Sequence, residues 1–328
     1  MDLGGVVLFT LGGTIAMAGH DGGVVARLSG RDLVAGAGNL DEAADVEVRD
    51  LRAVPSADLS FVDILDAIDA AGAAVTAGAC GIVLTQGTDT LEESAFLIDA
   101  VWTHDAPFIV TGAMRNPTLP GADGPANVLA AVQVAAAPEA RGRGALVVFN
   151  DEIHAARHVR KSHSASTATF ASPDLGPIGH VIEGVPRFLA GVPRPRPITG
   201  FSRTDLSATR IALYTTTFDD DGALLDGIAD THNGIVVAGF GVGHVPSALA
   251  PVLGKLVAKM PVVLTSRTGA GPVLASTYGA IGSERDLRER GLIGGGFLHP
   301  YKARVLLRLL VAAGARRDEI AATFTEFG

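Results

Sequence analysis

GIVLTQGTDTLEES, residues 81–94, decides the fold. Apolar, β-favouring residues run from Gly81 to Leu84, and after Thr85 the chain turns polar through Gln86-Gly87-Thr88-Asp89-Thr90. An unbroken apolar run that stops at glycine and polar groups is the pattern of a parallel strand buried on both faces. Glu92 and Glu93 then suit the positive end of a helix dipole, so the stretch reads strand, polar turn, helix. VVLFTLGGTIA (Val6 to Ala16) and FIVTGAMRN (Phe108 to Asn116) end in the same way. In open α/β sheets, ligands bind beyond the carboxyl ends of such strands. Thr14, Thr88 and Asp89 are therefore expected in one crevice, although up to 75 positions separate them. Two hydroxyls and a carboxylate there point to acyl-transfer chemistry on a small polar substrate.

Strand and helix signals alternate outward from these segments. Phe61, Ile64, Leu65, Ile68 and Val75 share one face at helical spacing, with Ser60 as the expected N-cap and Asp63 in the first turn. Leu91, Ile98 and Val101 form the apolar face of the helix after Asp89. Asp123-Gly124-Pro125 is expected to open a third helix, with Asp123 as its cap. Leu146 to Phe149 read as the next strand. The rhythm breaks between Val185 and Ser207, where proline and arginine accumulate as in an exposed linker. A second α/β pattern follows, with strands at Ile211 to Tyr214, Gly234 to Ala238 and Val262 to Leu264, and a closing amphipathic helix at Lys302 to Ala313. The expected organisation is an N-terminal α/β catalytic domain at 1–190, a linker at 191–207 and a smaller α/β domain at 208–328.

Composition narrows the function classes. The 328 residues are 48% hydrophobic, enough to build a sizeable core, and mean hydropathy is +0.34. A net charge of −9 argues against nucleic acid or an anionic membrane as partner, since both need a basic face. A single cysteine, Cys80, excludes an intrachain disulfide framework and reads as a small buried hydrophobe. The opening MDLGGVVLFTLGG lacks the basic n-region and long apolar stretch of a signal peptide, which predicts a cytoplasmic chain. No apolar run reaches the ~20 residues of a membrane span.

Taken singly, the motifs are weak. Gly12-Gly13-Thr14 is neither a P-loop nor a dinucleotide fingerprint, because no Gly-Lys-Ser/Thr follows and the glycine spacing differs. Thr88-Asp89-Thr90 at a helix start suits capping as well as chemistry. Lys161, in Ala156-Arg157-His158-Val159-Arg160-Lys161-Ser162, reads either as part of a solvated basic face or as a lysine turned in to meet Asp89 and Thr88. His154 and His158 have the i, i+4 spacing of a helical metal pair, but no carboxylate or cysteine completes a zinc pattern, so no metal is expected.

In combination the motifs resemble the bacterial-type L-asparaginase/glutaminase family. The set is Gly12-Gly13-Thr14-Ile15-Ala16, Gly87-Thr88-Asp89-Thr90-Leu91-Glu92-Glu93, Gly112-Ala113-Met114-Arg115 with Ala122-Asp123-Gly124-Pro125-Ala126-Asn127, Lys161 upstream of Thr169-Phe170, and Lys302-Ala303-Arg304-Val305-Leu306-Leu307. The resemblance spans nearly the whole chain in the family's order. It implies a two-domain α/β amidohydrolase that converts L-asparagine to L-aspartate and ammonia without a cofactor. It also implies dimers, often paired into tetramers. Thr14 resembles the nucleophile that attacks the side-chain amide carbon. Thr88, Asp89 and Lys161 resemble a second triad, in which lysine helps take the Thr88 proton and Asp89 also binds the substrate α-ammonium. Ser56 matches the serine that holds the α-carboxylate. Main-chain groups near Thr14, Gly87 and Thr88, and Ala113, would surround the amide. An amide needs these parts: a positioned nucleophile, a stabilised oxyanion and a protonated leaving nitrogen.

Five features depart from the family pattern. Leu11 stands where threonine is usual, and Ala57 where many dual-activity members have glutamine. The usual loop tyrosine is missing: Ala16 to Ala37 contains none, and the first tyrosine in the chain is Tyr214. Tyr278 falls where many members place a glutamate from the neighbouring chain, and His244 where asparagine is usual. Both are thus expected to contact substrate across a subunit interface, with Tyr278 supplying the missing hydroxyl. Two alternatives stay open at this point: a glutaminase-asparaginase, and a catalytically weak amino-acid-binding sensor.

Overall fold

The structure is a computed structural model and describes residues 5–13, 15, 17–18, 25–26, 30–38 and 40–328. The chain divides into two compact units, residues 1–197 and 198–328. The first unit opens with β1 (Val6–Thr10), a short antiparallel pair β2 (Met17–Ala18) and β3 (Val25–Ala26), α1 (Gly30–Gly36), α2 (Leu40–Ala43) and β4 (Val46–Asp50). Then come α3 (Phe61–Thr76), β5 (Gly81–Thr85), α4 (Leu91–Val101), β6 (Phe108–Thr111), α5 (Gly124–Ala136) and β7 (Ala145–Phe149). The unit ends with β8 (Glu152–Ala155), the two-residue strands β9 (Arg160–Lys161) and β10 (Phe170–Ala171), and β11 (Gly179–Ile182) and β12 (Val185–Phe188).

Eight of these strands form one sheet, in the order β12-β11-β8-β7-β6-β5-β1-β4. The five from β4 to β7 are parallel, and β8, β11 and β12 follow, each antiparallel to the strand before it in the sheet. Every residue of β1, β5, β6 and β7 is buried, which is why their sequences are apolar without alternation. The order reverses at β1, with β4 on one side and β5 on the other. That reversal is a topological switch point, the place where open α/β sheets bind ligands beyond the strand ends.

The helices follow local chemistry. Ser60 and Asp63 form a capping box at the start of α3, each accepting the other's main-chain N–H. α4 is buried on nearly all faces. Asp123 departs from expectation. It stands at the N-cap position of α5 but makes no capping bond, because its carboxylate is committed to the turn after β6. The proline- and arginine-rich stretch is also more structured than its composition suggests. β12 is an edge strand, where Pro186 costs no ladder bond. Arg143 and Arg157 donate to the carbonyls of Ala190 and Pro193 at 3.1 and 3.2 Å, and Arg194 lies 3.6 Å from Asp99.

The second unit contains α6 (Arg203–Ala208), which takes up the end of the expected linker, and then β13 (Ile211–Thr215), α7 (Ile228–Thr231), β14 (Gly234–Gly239), α8 (Leu249–Val257) and β15 (Val262–Ser266). It closes with α9 (Glu284–Glu289), β16 (Ile293–Gly294), α10 (Pro300–Ala312) and α11 (Arg317–Phe327). Its four strands pair in parallel in chain order, β13-β14-β15-β16. Tyr214, Ile235, Val237, Leu249, Leu253 and Leu264 belong to the apolar core on one side of that sheet. Among the described residues, no helix is long and apolar enough to cross a membrane.

Candidate active site

The turns after β1 and β5 meet main chain to main chain. Leu11 N–H donates to Thr85 O at 2.9 Å, carrying the sheet pairing one residue past the strands. Gly13 follows with φ +91°, and a Cβ placed on it would lie 2.2 Å from Gly87 N and 2.3 Å from Gly87 Cα. Only glycine permits that approach. Thr14, the expected nucleophile, lies outside the described residues. Its neighbour Ile15 is buried, beside Gly124 at the start of α5.

Gly87 is equally constrained from the other side. A Cβ there would meet Ser56 Oγ at 2.7 Å. Ser56 is buried in a single 3-10 turn after β4, and its carbonyl accepts the Thr90 hydroxyl at 2.9 Å. The Ser56 side chain therefore stands against the backbone between Gln86 and Thr88. Ala57, next to it, is exposed.

Thr88 is buried and Asp89 is open to solvent. Lys161 Nζ donates to Thr88 Oγ1 at 2.9 Å and to Asp89 Oδ1 at 2.7 Å. The Lys161 side chain is 15% exposed, against 72% for Asp89, so the lysine enters from the protein side and the carboxylate from the solvent side. Lys161 reaches this point from β9, which pairs with β10 so that Lys161 faces Phe170. Beyond the pair, Ser162 N–H donates to Thr169 O at 2.8 Å. Glu92, buried in the first turn of α4, accepts the Lys161 N–H at 3.4 Å. The same helix start thus meets the lysine by both its main chain and its side chain.

The third strand end supplies Ala113, which is buried. Its turn is held by Asp123, whose carboxylate accepts the N–H groups of Met114 at 3.0 Å and Arg115 at 2.8 Å. Buried Asn127 joins the strand ends together: its amide donates to Gly112 O at 3.0 Å and accepts Asn150 N–H at 2.9 Å. Ser56, Gly87, Thr88, Asp89, Ala113 and Lys161 all belong to the first unit: the segments after β4, β5 and β6 carry the first five, and β9 carries Lys161.

His244 and Tyr278 belong to the second unit. Their rings meet edge to face, with centroids 4.9 Å apart. Tyr278 is 49% exposed. Sequence reasoning missed the group beneath them, Glu284, which is fully buried and lies 3.1 Å from His244 Nε2. Its signal was present as Ser283-Glu284-Arg285-Asp286, a helix start in which Ser283 caps Asp286 N–H. Asp123, Asn127 and Glu92 were visible as motif letters or dipole partners, but not as supports of the site.

His154 and His158 form no metal pair. His154 lies on β8 rather than on a helix, is fully buried, and contacts Ser172 Oγ at 3.0 Å and Glu152 Oε2 at 3.2 Å. Among the described residues, no group of three or more His, Cys, Asp or Glu is placed to hold a metal ion. Cys80 is half-buried, and that burial pushes its thiol pKa up.

A lysine that donates at once to a buried hydroxyl and to a carboxylate at a switch point suits acyl-transfer chemistry. Residues 5–192 match the N-terminal asparaginase domain and residues 210–324 the glutaminase/asparaginase C-terminal domain; the chain belongs to the asparaginase family. A probable L-asparaginase of Deinococcus radiodurans is 38% identical over 252 residues, covering 75% of each chain. An L-asparaginase of Bacillus licheniformis is 31% identical over 313 residues, covering 94% of this chain and 95% of that protein. The crystal structure of a probable cytoplasmic L-asparaginase from Campylobacter jejuni superposes with a TM-score of 0.86 at 29% identity, covering 98% of both chains.

Proposed function

We propose that this protein is an asparaginase that hydrolyses L-asparagine to L-aspartate and ammonia through a threonine nucleophile. The observation that carries the reading is the double hydrogen bond from Lys161 to Thr88 and Asp89 at the switch point. In this reading Thr14 Oγ bonds to the side-chain amide carbon, the C–N bond breaks and ammonia leaves with a proton. Water then cleaves the acyl–threonine ester, releasing aspartate and restoring the hydroxyl. Gly13, which precedes Thr14, lies against Gly87, which precedes Thr88. That contact supports a single site using both hydroxyls. Thr88, Asp89 and Lys161 form a shared proton network. Lys161 holds Thr88 Oγ1 as an acceptor, and the Thr88 hydroxyl proton is then free to move toward the reacting groups.

Asp89 is the partner for the substrate α-ammonium, because its carboxylate is open to solvent while Lys161 holds it from behind. Ser56 takes the α-carboxylate. The main chain at Gly87 and Ala113 flanks the amide. Residues 1–190 form the catalytic domain in this reading, joined through 191–207 to the domain at 208–328. The protein works in the cytoplasm as a homodimer or homotetramer, and His244 and Tyr278 of one chain reach the site of its partner. Tyr278 there supplies the hydroxyl of the tyrosine missing from Ala16 to Ala37.

The deciding assay is ammonia release from L-asparagine, D-asparagine and L-glutamine side by side. Release from L-asparagine, fastest of the three, is expected. Binding of L-asparagine without ammonia release would replace this reading with an amino-acid sensor, and equal rates with L-glutamine would make it a dual-activity enzyme.

A further inference from the structure

Glu284 is a carboxylate with none of its surface exposed, yet among the described residues no lysine or arginine is bonded to it. Its first oxygen accepts the main-chain N–H groups of Thr277 at 2.8 Å and Tyr278 at 2.7 Å. Its second oxygen meets His244 Nε2 at 3.1 Å. Ser283, beside it, donates to Tyr278 O at 2.7 Å, and Val245 N–H donates to Gly282 O at 2.8 Å. One buried group therefore ties the His244 turn to the Tyr278 loop, and the two rings emerge together at the surface.

Burial by itself would raise the Glu284 pKa. The N–H of Tyr278, its own N–H, His244 and the N–H of Thr277 together outweigh that, and hold it below the usual carboxylate range. An ionised carboxylate only accepts hydrogen bonds, so the hydrogen between the two groups belongs to His244 Nε2. A neutral imidazole carries one N–H, and its other nitrogen is then a lone-pair acceptor. No hydrogen-bond partner among the described residues takes His244 Nδ1.

We infer that Glu284 is a positioning residue: it fixes His244 in the Nε2–H tautomer, so that Nδ1 accepts an N–H group of the amide substrate beside the Tyr278 hydroxyl. The inference rests on the reading that His244 and Tyr278 reach the substrate. It adds what the resemblance lacks, a reason why histidine can stand where asparagine is usual. A histidine free to exchange tautomers would present a donor part of the time, facing the substrate's own donors.

Glu284→Gln keeps the volume and an acceptor for the two main-chain N–H groups. Its NH2 group, however, would face His244 Nε2 as a donor, which demands the opposite tautomer. In the intact protein labelled with 15N-histidine, the His244 ring signals are identified by their loss in His244→Gln. Wild type is expected to show the Nε2–H pattern, and Glu284→Gln the Nδ1–H pattern. KM for L-asparagine should rise about tenfold in Glu284→Gln, as for one lost hydrogen bond turned to a clash, with kcat changed less. A wild-type spectrum showing Nδ1–H overturns the inference without any need for the variant to fold. So does an unchanged KM in a Glu284→Gln protein whose tautomer has switched, when His244→Gln and Tyr278→Phe are impaired. If those two variants keep wild-type kinetics while the tautomer still switches, the substrate-contact reading falls, and the inference falls with it.

Discussion

Gly13→Ala tests the close approach on which the site depends. The added methyl would lie 2.2 Å from Gly87 N, 2.3 Å from Gly87 Cα and 2.9 Å from Gln86 C. All three are backbone atoms at the end of a buried strand, so no side chain can swing aside. Restoring ordinary contact requires the two turns to part by about 1 Å. Alanine at φ +91° also carries left-handed strain of about 1–2 kcal/mol. A displacement of ~1 Å between reacting groups costs on the order of 10²-fold in rate. The control is Gly142→Ala: its φ is +74°, but nothing lies within 4 Å of the new methyl, so it carries strain without collision. Thermal unfolding should fall modestly in Gly142→Ala and further in Gly13→Ala. Ammonia release from L-asparagine should be near wild type in the first and reduced about 10²-fold in the second. Equal stability and equal kcat in the two variants would refute the contact between the β1 and β5 turns.

Three further outcomes are expected. Lys161→Met and Thr88→Val should each lower kcat by about 10²–10⁴-fold with little change in unfolding temperature, and wild-type kcat in Lys161→Met would remove the proton network from the mechanism. L-asparagine should be preferred to L-glutamine, and Ala57→Gln, at an exposed position beside Ser56, should raise glutaminase kcat/KM several-fold through a hydrogen bond worth ~1 kcal/mol; competition kinetics with both amides measure it. The Glu284 carboxyl pKa is lower in the folded protein than its ordinary value of 4.5, so its stabilisation is present above that pH and is lost as pH falls below it. Wild type should therefore lose stability more steeply than Glu284→Gln on acidification below 4.5, and parallel curves would contradict the buried ionised carboxylate.

Local chemistry wrote much of the fold into the sequence. The apolar runs at Val6, Gly81 and Phe108 are buried strands, because a parallel strand covered on both faces must be apolar throughout. Ser60 and Asp63 cap α3 as their spacing dictates, since a cap involves only neighbours. The meeting of the β1 and β5 turns follows from neighbouring parallel strands ending at the same edge, whereas the basic run around Lys161 does not by itself specify that the lysine turns in to Thr88. Other features depend on partners distant in sequence. Asp123 has the spacing of a helix cap, but the N–H groups of Met114 and Arg115 claim its carboxylate. Val185–Phe188 has the composition of a linker and becomes a strand because an edge position forgives proline. His154 and His158 matched a helical ligand pair only if that segment were helical, and sheet pairing with β7 made it a strand. Glu284 lies 40 positions from His244, and nothing in either local sequence announces that one buried carboxylate orders both His244 and the Tyr278 loop. Sequence periodicity specifies which face of an element is apolar; which polar groups then meet beneath the surface depends on how sheets and turns pack, and only the tertiary structure sets that.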